Sequence, residues 1–273
     1  MSGQKMAPAG AGADGKGTGS LTVGSTRSRG LDLLRDYGAV LGMLVALIIF
    51  GVLEPAVLTP SNLASVVDQS SSLVILAVGL AIVMMMRGVD LSVAQVSDAA
   101  GLIAAMFLVQ NQPLLLVFLV PLLFGVMIGG INGFLMSYLG VPAIIGTLGM
   151  MFIVRTFELV LSRGREAQIL FTLPPAQSEA FFFLGQGAIG PVSTSVIIAA
   201  VIVAVGYVLT TTTALGRYIS AVGGNVRAAF LAGVNHRRVF ASGFVISGLF
   251  AAISGMVLTS RAALAAPGAF EPY

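Results

Sequence analysis

The stretch "SNLASVVDQSSSLVILAVGLAIVMMMRGVD", Ser61 to Asp90, decides how the chain is laid out. After a polar interruption at Asp68 to Ser72, only 14 unbroken residues, Leu73 to Met86, precede Arg87. A helix crossing a bilayer needs about 20 apolar residues. The segment therefore allows two readings. The helix starts early and buries Asp68 to Ser72 against its neighbours, or the span is short and broken, lining a cavity where lipid tolerates irregular backbone. Removing this crossing would invert everything downstream of it.

On either side lie further apolar runs: Gly38 to Leu53, Leu91 to Val109, Leu114 to Leu139, Val141 to Leu161, about Ser193 to Leu209, and Val239 to Ser260. The 273 residues are 57% hydrophobic and 9% charged, against about 25% charged in a soluble domain, with a mean hydropathy of +1.00. Continuous rather than alternating apolar runs select helices over a barrel. The expected fold is all-α: a polytopic transmembrane bundle of about seven spans with a short broken second span.

Several function classes are excluded or weakened by the same composition. With no cysteine there is no disulfide, thiolate metal site or cysteine nucleophile, and the single histidine, His236, leaves little for metal or triad chemistry. Internal catalysis, a bound cofactor and nucleic-acid binding are not expected. Residues 1–30 are rich in Gly, Ala and Ser and read as a disordered cytosolic tail, with residues 31–273 as the membrane domain. Gly10 and Gly15 to Gly17 imitate the start of a phosphate loop. Gly17 stands where Ser or Thr should ligate magnesium, and no strand precedes it.

Seven crossings with a cytosolic N-terminus put ten basic residues inside: Lys5, Lys16, Arg27, Arg29, Arg35, Arg87, Arg217, Arg227, Arg237 and Arg238. Arg163, Arg165 and Arg261 fall outside, and Arg155 lies within a span. That asymmetry follows the positive-inside bias. It places "GRYISAVGGNVRAAFLAGVNHRR", Gly216 to Arg238, in the cytosol. Within it, Asn225 suits the cap of a short helix that ends at Gly233, a left-handed terminator. Phe230 and Leu231 would stand beside Arg227, a shape fit to dock in a groove of a soluble partner; a solvated basic loop along anionic lipid headgroups is the blander alternative.

Three stretches, taken together, resemble consecutive segments of the ribose-type permeases, the membrane subunits of bacterial ATP-binding-cassette sugar importers: "NLASVVDQSSSLVILAVGLAIVMMMRGVDLSVAQV", "NGFLMSYLGVPAIIGTLGMMFIVRT" and "TTALGRYISAVGGNVRAAFLAGVNHRRV". The resemblance covers about Asn62 to the end. It implies an inner-membrane permease that pairs with a second permease chain, two cytosolic ATPase units that hydrolyse the ATP, and an extracytoplasmic sugar-binding protein. By position, Gly216 to Val234 matches the family's ATPase-coupling loop. Gly216, Arg217, Gly223, Gly224, Asn225, Ala228, Ala229 and Gly233 would shape it, and Arg227 and Phe230 would contact the motor. Arg163 to Pro191 would be the platform for the binding protein. The chain stops at "PGAFEPY", where similar proteins continue into further spans, so it reads as C-terminally shortened.

"RGVDLSV", Arg87 to Val93, matches a family segment that would line the solute pathway at Asp90 and Ser92. Physically, Asp90 suits the cap of a helix beginning at Leu91, and Gly88 frees the backbone to turn. The following "AQVSDAAG" departs from the family's small and apolar residues and sets Gln95 and Asp98 on one helical face. An ionisable residue inside a span is a functional candidate, so Gln95 and Asp98 join the pathway set, with a buried structural hydrogen bond as the alternative. At 1.5 Å per residue, Asp98 lies about 10 Å and Arg155 about 20 Å from the cytosolic ends of their helices, which favours Arg155 pairing with Glu158. Small residues at Gly125, Gly129 and Gly133, and at Ser247, Ala251 and Gly255, mark close helix packing. Three other functions remain open: a nucleoside or branched-chain amino acid importer permease, an ATP-independent transporter, whose sequence should show inverted halves, and a structural anchor.

Overall fold

The computed structural model describes residues 29–164 and 167–267. All of the expected tail but Arg29 and Gly30, the phosphate-loop look-alike, Lys5, Lys16, Arg27, Arg165 and most of the terminal "PGAFEPY" lie outside them. The chain divides into two units. In the first, helix α1 (Arg29–Leu53) carries the apolar run and stops at Glu54, where Pro55 opens a single 3₁₀ turn, Pro55–Leu58.

The second unit, from Pro60 onward, is a helical bundle. Its long helices are α2 (Pro60–Met85), α3 (Val93–Val109), α4 (Leu114–Ser137), α5 (Ala143–Leu161), α7 (Thr194–Thr211) and α10 (His236–Ala262). Between them lie α6 (Pro175–Gln186), α8 (Ala214–Gly224) and α9 (Val226–Leu231). Two antiparallel pairs of two-residue strands complete it: β1 (Gln168–Ile169) with β4 (Leu264–Ala265), and β2 (Ala188–Ile189) with β3 (Val192–Ser193). Apolar side chains such as Leu115, Leu139, Ile145, Ile153 and Val160 stay exposed on the outer faces. A soluble monomer rarely shows so large an apolar surface; lipid requires it.

Helices α2, α4, α5, α7 and α10 are each long and apolar enough to span a membrane. The helix α3 is not: its 17 residues extend about 25 Å against a hydrocarbon core of about 30 Å. Nearly all of its side chains are buried by neighbours, so protein rather than lipid surrounds it.

The short broken second span is corrected. Helix α2 runs unbroken through Asp68 to Ser72, and several of the polar groups there find partners. Ser70 and Ser71 hydroxyls donate to carbonyls one turn back, at Val66 and Asp68. The Ser72 carbonyl accepts from Ser254 of α10 at 2.7 Å, and Asp68 is bonded by Ser193 and Ser195. The irregular backbone comes later, between α2 and α3. There Asp90 reaches Ser247, three turns into α10, so the connection dips into the bundle and α3 starts below its rim.

The core centres on α10, where small residues line several faces. A side chain at Gly125, Gly129 or Gly133 of α4 would come within 2.3–2.7 Å of Gly248, Phe244 or Ala241 on α10. A different stripe of α10 faces the other way: Gly255 lies against the Ser97 carbonyl of α3, and Ser247 against Gly79 of α2. The two stripes seen in the sequence thus serve different partners, and α10 is the post on which α2, α3 and α4 are stacked.

Candidate functional site: the α8–α9 end and the polar node beneath it

Thr213 opens α8 by accepting the Gly216 amide on its side chain. Gly216 is buried against the end of α7, where a side chain would meet the Thr210 carbonyl at 2.1 Å. Ile219 and Val222 then sink into a core shared with Ile75 and Ile82 of α2, Met86 in the turn after it and Val239 of α10, so α8 lies across the end of the bundle. At its last turn, Gly223 comes closer still: an added Cβ would stand 1.8 Å from the Met85 carbonyl of α2. Only glycine permits that approach.

Asn225 separates α8 from α9 and caps α9, accepting from the amides of Arg227 and Ala228 at 3.0 Å. Gly233, at φ +83°, closes it, with Val234 N bonded to Ala229 O and Gly233 N to Phe230 O, the paired bonds of a Schellman motif. Ala229 is buried and anchors this short helix to the core. Ala228, Arg227, Phe230 (61% exposed) and Leu231 (79%) face outward. The expected helix, its cap and its terminator all stand as read from the sequence.

Arg87 ties this segment to the bundle a second time. Its guanidinium donates to the Gly224 carbonyl at 3.0 Å. The same residue ends α2 in the left-handed region, φ 62°, with Gly88 N bonded to Val83 O and Arg87 N to Met84 O. Glycine is the usual occupant of that place, and the turn was expected at Gly88. Gly88 is instead the neighbour whose side chain would strike Val83, 2.9 Å away. An arginine held at positive φ points to the use of its side chain.

Beneath the turn, the buried Asp90 carboxylate gathers three elements. Its Oδ1 accepts from the Ser92 amide (3.1 Å) and hydroxyl (2.7 Å), and its Oδ2 accepts from Ser247 of α10 at 3.2 Å. Asn132 of α4 donates to the Ser92 oxygen at 2.9 Å. Because the Ser92 proton goes to Asp90, Asn132 must turn its amide nitrogen to Ser92. Thr147 of α5 accepts the Leu91 amide and donates to backbone carbonyls. Asp90 is therefore not a cap on a helix starting at Leu91. The helix begins at Val93, with Ser92 at the cap position making no side-chain cap bond, and Asp90 braces the approach to it.

One turn along α3, Gln95 donates to Glu158 of α5 at 2.7 Å. Glu158 is fully buried and Asp98 is 5% exposed. The four pathway candidates thus form two neighbouring groups: Asp90 and Ser92 with Asn132 and Ser247, and Gln95 and Asp98 on α3 with Gln95 bound to Glu158. Asn132, Ser247, Thr147 and Glu158 did not stand out as partners of the motif in the sequence. Among the described residues, no group of three or more His, Asp or Glu is placed to hold a metal ion.

Charge separates the two ends of the bundle. The described arginines Arg87, Arg217, Arg227, Arg237 and Arg238 stand at the α8–α9 end, Arg237 lying 5.8 Å from the Tyr138 ring centre. Arg163, at the end of α5, and Arg261, paired with Asp68, are at the other. One end offers cations around an apolar knob; the other offers a mixed, largely neutral face.

Comparison with known proteins identifies the family. Residues 62–272 match the family model described as branched-chain amino acid transport system / permease component. The chain is 31% identical to the ribose import permease RbsC of Haemophilus influenzae over 240 residues, 88% of this chain and 73% of that protein. It is 30% identical to RbsC of Escherichia coli K12, over 88% and 74%. The D-allose transport system permease AlsC of Escherichia coli K12 is 32% identical over 87% and 72%. No solved structure matches.

Proposed function

Since the chain belongs to the family of branched-chain amino acid transport system permease components, we propose that it is the membrane-spanning subunit of an ATP-binding-cassette importer for a small sugar. The family description names amino acids, but the relatives matching most of this chain are named for ribose and allose. A sugar presents hydroxyls, which exchange readily with serine, asparagine, glutamine and carboxylate partners of the kind gathered at Asp90, Ser92, Gln95 and Asp98.

The observation that carries the reading is the seat of Gly223 on the Met85 carbonyl. The α8–α9 segment presents Arg227, Phe230 and Leu231 outward while its back rests on the end of α2, and from there Arg87 leads within three residues to Asp90. A push on α9 by an ATPase therefore reaches the α2–α3 connection through backbone contact. The arginines around α9 support a cytosolic position for this end under the positive-inside bias, with α6 at the outer face; an N-terminus inside and residence in the bacterial inner membrane belong to the same reading. ATP is hydrolysed by two partner ATPase units. A second permease chain completes the translocator, and an extracytoplasmic binding protein delivers sugar to the face around α6. The permease itself moves solute by alternating access and catalyses nothing.

Uptake of labelled ribose, leucine and adenosine by membrane vesicles holding the assembled importer tests the solute class. Ribose or a related sugar alone should accumulate, and only with ATP inside. Accumulation of leucine or adenosine instead would transfer the chain to the other importers, and accumulation without ATP would remove the motor. Because the chain has no cysteine, Phe230→Cys gives a single thiol. An impermeant maleimide should reach it only in inverted vesicles, and docking of the ATPase should protect it.

A further inference from the structure

The carboxylate within the polar stretch of α2 joins three helices at the end of the bundle opposite α8–α9. Asp68 Oδ2 lies 3.1 Å from Arg261 Nε near the end of α10. Its Oδ1 accepts from the hydroxyls of Ser193 and Ser195, which flank the start of α7 and stand 2.7 Å apart. The Asp68 and Arg261 side chains are each about a quarter exposed.

The same three helices meet the α8–α9 segment at the other end. Helix α2 receives Gly223 at Met85, α7 receives Gly216 at Thr210, and α10 follows α9 after Gly233. Between the two ends α2 and α7 pack through apolar contacts, Ile75 with Ala199 and Ile202 in one core and Gly206 against Val78. Such contacts slide at little cost, whereas the bonds from Ser193 and Ser195 to the Asp68 carboxylate are either made or broken. An ion pair this exposed contributes little as glue and is screened by salt, so its placement at the mouth of all three helices calls for another role.

We propose that Asp68, Arg261, Ser193 and Ser195 form a latch that closes the outer end of the bundle and opens when the α8–α9 end is driven. The inference rests on the importer reading above. In the closed state the carboxylate takes one cation and two hydroxyls. When α7 swings away from α2 and α10, which stay stacked on each other through Gly79 and Ser247 and through Ser72 and Ser254, Asp68 exchanges the two hydroxyls for water at the mouth while Arg261 keeps its charge paired, and solute enters between α7 and that pair.

The absence of native cysteine allows a direct test with Asp68→Cys and Ser195→Cys together, in right-side-out vesicles holding the full importer. Oxidation with copper phenanthroline should abolish labelled ribose uptake, and dithiothreitol should restore it in the same vesicles, which controls for folding. Equal uptake by oxidised and reduced vesicles would overturn the latch. The rate of cross-linking gives a second reading that needs no sugar: it should fall during ATP turnover and recover when vanadate stops the motor, and a rate indifferent to ATP would likewise overturn it. Should vesicles with the unsubstituted chain take up no ribose, the solute assignment fails, and the cross-linking rate still decides the latch.

Discussion

Glycine does two different jobs in this bundle. Along the α4–α10 seam, Gly125, Gly129 and Gly133 repeat once per turn and bring two helices into backbone contact over a continuous row. At the α8–α9 end, Gly216 and Gly223 each make one approach, to the closing carbonyls of α7 and of α2. A row of contacts fixes two helices as one body, since every residue must part at once. Point contacts at two different helices set the position of the segment without fusing it to either helix along its length. The seam is accordingly read as scaffold and the Gly223 seat as transmission, and substitutions at the two sites should fail in different ways.

The largest effect is expected at the seam. Gly129→Val would place its Cβ 2.3 Å from the Phe244 carbonyl, and no rotamer of a side chain relieves a clash with backbone. Overpacking typically costs about 1–3 kcal/mol for smaller insults, so the α4–α10 pair should fail to form and membrane-inserted protein should be nearly lost on immunoblots. If Gly129→Val accumulates normally, the seam is not the rigid body of the comparison.

Gly223→Ala comes next. Its Cβ would sit 1.8 Å from the Met85 carbonyl, but α8 lies on the surface and can lift, at the cost of loosening Ile219 and Val222. The protein should insert and assemble at close to normal amounts while ATP-driven uptake falls by about tenfold or more, as about 1.4 kcal/mol of lost coupling implies. Equal losses of protein amount and uptake would make Gly223 another packing glycine and erase the contrast. Ala229→Asp sharpens the same point from the other side: Ala229 is the buried anchor of α9, so a carboxylate there should free the short helix and abolish stimulation of the ATPase by solute.

Much of this contrast was legible in the sequence. The apolar runs located every long helix, Asn225 and Gly233 bounded α9, and the arginines marked the end to which it belongs. Partners distant along the chain were not legible. The polar residues Asp68 to Ser72 looked like a break because Ser193, Ser195, Ser254 and Arg261, which satisfy them, follow more than 120 residues later. The same distance hid Asn132 and Ser247 from Asp90, and Glu158 from Gln95. Polar residues inside a span say only that partners must exist. Glycine spacing, likewise, announced close packing but not which helix would supply the other side; the two stripes expected to pack turned out to face different neighbours.

Arg87 separates strain from function at the Gly223 seat. In Arg87→Gly the turn after α2 keeps its bonds and loses a left-handed non-glycine residue, relieving about 1 kcal/mol. In Arg87→Ala the strain remains. Both lose the bond to Gly224. If that bond transmits force, the two variants should show the same drop in uptake, about fivefold for a contact near 1 kcal/mol, although the glycine variant is the more heat-stable in detergent. Uptake that tracks stability instead would reduce Arg87 to a helix terminator.

The smallest expected effect tests how far transmission extends below the turn. Ser247→Ala removes one hydrogen bond from Asp90 and leaves the two from Ser92, so the carboxylate stays paired and the α10 backbone is untouched. Interhelical bonds of this kind are worth about 0.6 kcal/mol in membrane proteins, corresponding to a change of about threefold. On the transmission reading this small loss should fall on uptake, because Ser247 is the point where the α2–α3 connection meets the rigid α4–α10 body, and motion begun at Gly223 has to stop or turn there. On a packing reading it should fall on thermal stability and leave uptake per assembled complex unchanged. Coupling to Arg87 decides between them: if the two residues lie on one path, Ser247→Ala should cost less in the Arg87→Gly background than alone, and strict additivity would place the end of the transmission at Arg87, above Asp90.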